Sequence, residues 1–567
     1  MNKPLLTIGL LALGCAPLFA QQSDVEARAM KDEMQRSMKD LHLESTDGPY
    51  FIAYKIVDSE RKEAHASFGS LTSSGEARSR VLSVTVRVGS YEFDNTNRSG
   101  AGGLGAIEVL LGSLGGGPNN LPVDDNYDEL RRKIWLATDT AYKKALEDLS
   151  AKKAAQQNRN REESIPDFSK EPARQESEIL PPIDEKLTDA EHLVRTASAV
   201  FRNLSLVQTS EAEFEVDNTT EHFLNSEGTT YIRQIPNVVF RASATLQNTT
   251  GEIFSDEYSV YGRSLSDLPS DATIVQNSNA VVVRLTARRK GKAAKRYNGP
   301  VLLEGDAAAE LFAHHFANLL AAHARAGGGD GGLLSLLTGS TADAGSASSL
   351  LNKVGSRILP DFLTVVDNPQ LAQAEGHPLF GNYKFDEEGV PSQETVLIKD
   401  GYLKTLLTSR VHARGMSHST GNMRERGVLP GNLFIEASKT SSREDLQKQM
   451  LDLVKARDLE YGIIIRRLLG NTALEAIRVY PDGHEESVRD SRVAEITVNS
   501  FKDILAVSKD STVYTQRGQG TSLLGLALGG DLISYIVPDM LFEDMTVEHV
   551  PNDTPKLPAI PSPFASN

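Results

Sequence analysis

Blocks of strand-forming sequence set apart from a few long helical stretches predict a protein of mixed helix and sheet. Its sheet should be largely antiparallel, spread over roughly three domains. Three observations carry this expectation. Strand-like runs follow one another from residue 204 to 261, namely Leu204–Ser210, Ala212–Asn218, Glu221–Asn225, Tyr231–Ile235, Val238–Gln247 and Ile253–Tyr261. Asn225-Ser226-Glu227-Gly228 and Asn248-Thr249-Thr250-Gly251 supply turn chemistry between them, and strands that succeed each other without helices favour antiparallel pairing. Residues 128–155 instead repeat Ile134, Thr138, Ala141, Ala145 and Leu149 on one helical side, with acidic residues early and lysines late. Finally, 567 residues exceed what one core organises.

The first segment, 1–20, has Lys3, an apolar run from Leu5 to Leu13 and small residues from Ala16 to Ala20. That order is a signal peptide, with cleavage expected near Ala20 and a periplasmic or extracellular destination. A lipoprotein attachment at Cys15 fits less well, because Ala12-Leu13-Gly14 is a poor lipid-attachment box. Cys15 is the single cysteine, so the mature chain should contain neither a disulfide nor a thiolate ligand. The formal net charge of -16 argues against nucleic acid as a partner. No later apolar run reads as a transmembrane anchor, since Thr521–Val537 is interrupted by Gly529-Gly530-Asp531.

Residues 21–155 read as an N-terminal domain, opening with a surface helix over 24–43. Strands follow at Tyr50–Val57, Ala64–Leu71 and Val81–Val88. Gly100 to Asn120 reads as a long glycine- and leucine-rich loop. Residues 156–187 turn to Glu, Arg, Ser and Pro, the composition of a solvated linker or insertion. The central β-rich domain occupies 188–298, with a helix at 188–202. A further helix, or helix and strand, runs over Ala272–Lys295 and holds the basic run Arg288-Arg289-Lys290, read as solvated. The last domain, 299–550, starts with a helix over Gly305–Ala326 and a glycine- and serine-rich stretch at 327–349, and a Pro-rich tail fills 551–567.

Three places contain residue types suited to chemistry. On the helix after Gly305, Phe312, Phe316, Leu319 and His323 form a core-facing stripe, while Glu310 and His314 lie four apart on another face. A carboxylate and an imidazole at that spacing hold a metal or form an acid–base pair, and equally describe a plain surface pair. His315 sits at the stripe's edge. The second place, Arg410–Arg426, sets His418, Gly421, Asn422 and Arg424 among small residues, which suits binding of a peptide backbone or carboxylate as well as a simple polar turn. Asp482-Gly483-His484-Glu485-Glu486 reads as a hairpin turn. No serine elbow, phosphate loop or His-Glu-x-x-His pair occurs.

The run from Gly299 to Phe312 resembles the segment entering the active-site helix of the TldD/PmbA peptidase family. Phe362–Pro369, Phe385–Pro391, Val396–Lys404 and Ser419–Arg424 resemble further segments of that family in the same order. Phe223–Gly228 and Tyr91–Asn97 resemble its central and N-terminal parts. The resemblance implies an α+β protein of three regions with mixed and antiparallel sheets, pairing with a related subunit around an enclosed chamber. TldD-type members carry His-Glu-x-x-x-His and a downstream cysteine as zinc ligands and cleave small or unfolded peptides. PmbA-type members lack these ligands and partner a TldD-type subunit. Here Ala313-His314-His315-Phe316-Ala317-Asn318 has no glutamate after a histidine and no histidine five on.

Zinc catalysis takes about three protein ligands and an open position. Glu310 and His314 would supply two, leaving His315, His412, His418 or His484 for a third. The leading expectation is an exported PmbA-like subunit, without zinc of its own, in a peptide-degrading or peptide-processing complex. Its partner would be a TldD-like or identical subunit and its substrate a peptide or unfolded protein. The alternatives are a self-sufficient metallopeptidase with Glu310 as catalytic residue and zinc on His314 and His315, and a non-catalytic peptide-binding scaffold.

Overall fold

A computed structural model describes residues 25–43, 46, 48–96, 119–156, 166–322, 350–411, 413, 415, 416, 418–424, 427–494, 496–517, 531–550, 556–558 and 560. The signal segment 1–20, most of the 100–120 loop, the 327–349 stretch, the glycine turn near 529, His323, His412 and most of the 551–567 tail lie outside the described residues.

The first half is built on one sheet. Its strands are β1 (Pro49–Ser67), β2 (Ser70–Val88), β3 (Gln175–Ile179), β4 (Val207–Asn225), β5 (Thr230–Gln247) and β6 (Ile253–Gly262). They run in the order β2-β1-β4-β5-β3, with β6 beside the later part of β5. All pairs are antiparallel except β3 with β5. Ladders between β1 and β4 join the 21–155 and 188–298 segments in a single sheet.

Strict alternation divides the two faces of these long strands. Ala212, Phe214 and Val216 of β4 and Val238, Phe240, Ala242, Ala244 and Leu246 of β5 face helices α3 (Leu187–Ala199) and α4 (Asp271–Lys290). Ile52, Tyr54 and Ile56 of β1 meet α1 (Val25–Asp40) and α2 (Tyr127–Gln156) in a second core. The opposite register carries Lys55, Arg61, Glu213, Glu215, Asp217, Glu221, Arg233 and Arg241, and Lys55, Glu215 and Arg233 there make ion pairs with residues of the C-terminal region.

The second sheet comprises β7 (Lys292–Ala293), β8 (Tyr297–Leu303), β9 (Leu363–Asp367), β12 (Thr395–Lys399), β13 (Tyr402–Leu403), β16 (Asn432–Ala437), β17 (Gly462–Leu469), β18 (Thr472–Val479), β19 (Glu485–Arg489), β20 (Ser491–Ala494), β21 (Ile504–Arg517) and β22 (Leu532–His549). Two short ribbons, β10 (Gln373–Ala374) with β11 (His377–Pro378) and β14 (Met423–Arg424) with β15 (Gly427–Val428), lie outside it. Pairing is mixed, with β8–β17 and β16–β22 parallel and β8–β22 antiparallel. Helix α5 (Asp306–His315) packs on one face, with Val301 and Leu303 in its core. On the other face lies α6 (Arg443–Ala456), where Leu446 and Met450 meet Leu302 and Ile464. Among the described residues no helix is long and apolar enough to cross a membrane.

Several expectations change here. The strand expected over Ala64–Leu71 contains a tight turn, because Phe68 (φ 47) and Gly69 (φ 78) adopt the left-handed conformations a two-residue hairpin loop requires. The three runs between 204 and 225 are one strand; their polar interruptions belong to the charged face. Residues 166–187 are tied to the body at Phe168, which is buried, and at β3, which pairs with β5, while Lys170, Pro172 and Pro181 stay exposed. Arg288 is not solvated either, but buried over the Phe254 ring, donating to the Ser255 carbonyl. The helix expected over Gly305–Ala326 stops at His315 and gives way to a short 3-10 turn, Ala317–Leu320.

Candidate functional site

Helix α5 starts at Gly305, whose φ of 53 and backbone N–H bond to Asp539 Oδ1 (2.7 Å) set the exit from β8. Ala307 to Ala313 are all buried, so the helix is enclosed on every side rather than along one stripe. Glu310 therefore lies inside the protein. Its Oε1 accepts the Gly470 N–H at 2.9 Å and its Oε2 the Tyr514 hydroxyl at 2.7 Å. Burial first, and then the adjacent Glu310 carboxylate, raise the Tyr514 phenol far above its ordinary range, so it stays a donor. His314 is exposed, and its ring stands at 81° to that of His315, 4.8 Å between centroids. His315 bonds Asn471 through Nε2, and burial lowers its pKa, favouring the neutral ring.

Glu310 and His315 thus both hold the Gly470-Asn471 turn between β17 and β18. These turn residues and Tyr514 are not among the candidates the sequence offers, although a Gly-Asn pair between two apolar strands is a hairpin signal.

A zinc ion does not fit this arrangement. Both Glu310 oxygens already have donors, and among the described residues no three His, Cys, Asp or Glu side chains converge as ligands. His418 is exposed, and only its carbonyl is engaged, by Thr408 Oγ1 at 2.7 Å. His484 sits in the expected hairpin turn with Asp482 at 2.7 Å, stacked on Tyr480.

Arg410, Ala413, Ser419, Asn422 and Arg424 of the 410–424 segment are buried. Arg410 is fully buried, donating to the Ser169 carbonyl and to Glu227 (2.8 Å) with its guanidinium over Phe168. Gly421 has φ 72, and a Cβ there would lie 2.3 Å from the Pro391 carbonyl oxygen, so no other residue fits. Asn422 is wholly buried and donates from Nδ2 to Asp367 Oδ2 (2.7 Å), the Tyr383 hydroxyl (3.1 Å) and the Leu429 carbonyl (3.3 Å). Burial pushes the Asp367 carboxyl up to about 7, against the hydrogen bonds from Asn422 and the Gly431 N–H. Gly421 and Asn422 therefore shape the loop from within, while His418 points elsewhere.

Arg424 is the member of this set that reaches a cavity. Its guanidinium lies 4.3 Å over the Tyr383 ring and donates to Asp531 at 3.0 Å. Burial opposes its charge, but Asp531 and Tyr383 hold its pKa above the ordinary value. The cavity, about 90 Å³ in the space open to a water-sized group, lies between the charged face of the first sheet and the C-terminal region. Arg233 and Arg263 face it from one side, Tyr383 and Asp531 from the other. Its lining of guanidiniums, carboxylates and amides suits a polar ligand, and among the described residues it holds no nucleophile–base pair.

Residues 295–549 match the family described as the PmbA/TldA metallopeptidase C-terminal domain. A metalloprotease of Methanocaldococcus jannaschii is 38% identical over 102 residues, 17% of this chain and 22% of that protein. Metalloprotease PmbA of Escherichia coli O157:H7 is 28% identical over 295 residues, 50% of this chain and 56% of that protein. The chain spans only 22% to 36% of the length of the first three curated relatives it matches. TldE of Thermococcus kodakarensis shares the fold with a TM-score of 0.54 at 16% identity, over 92% of this chain and 99% of that one. A protein of Thermotoga maritima described as a candidate modulator of a DNA gyrase gives 0.57 at 15%, over 92% and 99%. The C-terminal region, residues 295–549, therefore belongs to the TldD/PmbA family, and the chain as a whole shares the α+β fold of TldE.

Proposed function

We propose that this protein is an exported, PmbA-type subunit of a peptide-degrading or peptide-processing assembly, acting beside a TldD-like or identical subunit without zinc of its own. The engagement of Glu310 carries this reading. On the helix where a zinc peptidase needs a free carboxylate and two imidazoles, the carboxylate instead clamps a hairpin turn through Gly470 and Tyr514. The metalloprotease names of the relatives support the peptide substrate, and the family resemblance of a chain without His-Glu-x-x-x-His supports the role of a subunit. Export rests on the charged, apolar and small-residue order of residues 1–20.

Metal content of the purified mature chain, measured by mass spectrometry after supplying zinc and dialysing, tests the reading. We expect well below one zinc per chain, unchanged in His314→Ala. One zinc per chain that disappears in His314→Ala would overturn it in favour of a self-sufficient metallopeptidase.

A further inference from the structure

The cations around the cleft are unequally neutralised. Arg233 is matched by Glu221 and Glu387 and also donates to the Phe385 carbonyl at 3.2 Å. Arg424 has Asp531. Arg263 donates from Nη2 to two carbonyls only, Phe380 (2.8 Å) and Asn382 (2.9 Å), and meets no carboxylate at ion-pair distance among the described residues. Arg263 Nε and Arg424 Nη1 are buried without an acceptor among the described residues. Burial depresses the Arg263 guanidinium to about 10, Glu178 offsets this in part, and Arg424 and Arg233 depress it further. Guanidinium donors left without acceptors destabilise a fold unless something arriving from outside completes them.

We infer that this cleft receives the terminal carboxylate of a peptide chain, with Arg263 and Arg424 as its cationic partners. A planar monoanion suits the fork of a guanidinium, and Arg263 has no carboxylate at ion-pair distance among the described residues. A phosphate dianion suits the cleft less, because Asp217, Glu221 and Asp531 also line it. Ile235, Phe380 and Leu532 provide an apolar wall for the last side chain, and Asn237 and Asn382 provide amides for its backbone. The pairings Arg517↔Leu532 and Tyr514↔Tyr535 place the cleft three residues along β21 from Tyr514, about 10 Å at the rise of a strand. This inference deepens the peptide-handling reading and rests on it.

Fluorescence anisotropy with one labelled hexapeptide, as free acid and as C-terminal amide, tests the pocket on the full mature chain. The acid should bind roughly tenfold or more tightly than the amide, the worth of a charge-assisted hydrogen bond. Arg263→Gln should abolish the preference. Asn237→Glu should abolish it too, by placing a carboxylate in the cleft while every arginine keeps its protein contacts. Thermal melts show whether each variant folds. Equal binding of acid and amide would overturn the pocket and leave peptide handling standing, whereas no binding of either would remove both. A preference surviving in both variants would place the carboxylate elsewhere. An amidated peptide ending in Glu that binds like the acid would overturn the assignment to a chain end.

Discussion

Asp367 and Asn422 stand 2.7 Å apart with no exposed surface, joining the end of β9 to the buried residues around Gly421. Asn422 was legible as a polar residue of interest in a small-residue run, but its role was not. An amide in such a run reads equally well as a ligand contact or as an internal brace, and only burial separates the two. The Asp367 carboxyl titrates near 4 in an unfolded chain and near 7 in the fold, so folding takes up a proton. Stability from this group is present at low pH and declines as pH rises from about 4 to about 7. Asp367→Asn removes the titration. The stability of wild type over Asp367→Asn should therefore fall across that window, by up to about 4 kcal/mol, as followed by denaturant melts at a series of pH values. A constant difference would mean that Asp367 stays ionised throughout.

At the scale of elements, α5 shows how the same spacing serves two ends. Glu310 and His314 were placed together by helical periodicity, and the helix does run Asp306–His315. The sequence left open what packs around it, because strands distant in the chain close over the polar side. Gly470 comes from the β17–β18 turn and Tyr514 from β21, 160 and 204 residues away. If Glu310 is the clamp described, Tyr514→Phe should cost about 1–3 kcal/mol, since a buried carboxylate loses a donor. The loss should shrink in a Glu310→Gln background, giving a coupling of about 1 kcal/mol or more in a double-mutant cycle. Additive effects would show that the hydrogen bond holds nothing.

Across the whole molecule, the first sheet meets the C-terminal region through charge as well as apolar contact. Glu387 binds Lys55 of β1 and Arg233 of β5, beside an aromatic group of Phe223, Tyr231 and Phe385. Glu387→Gln leaves half-buried Lys55 without its carboxylate and buried Arg233 with Glu221 alone. It should destabilise the chain by about 3 kcal/mol in equilibrium denaturation, and more at low than at high ionic strength if a solvent anion can substitute. A loss below about 0.5 kcal/mol, the range of ordinary surface changes, would show that apolar packing alone joins the two regions.

The sequence by itself determined the local elements: α1, α2, β6, the hairpin turn around Asp482, and the order of segments resembling the TldD/PmbA family. Periodicity, capping and turn chemistry act over a few residues, and they are written in consecutive positions. The tertiary structure decided which face of each element is covered. It turned the polar side of the first sheet toward a cleft, enclosed Glu310, and assembled Arg233, Arg263, Arg424 and Asp531 from segments up to about 300 residues apart. Pairing and burial depend on what arrives from elsewhere in the chain, so a carboxylate's neighbours cannot be read from its own stretch of sequence.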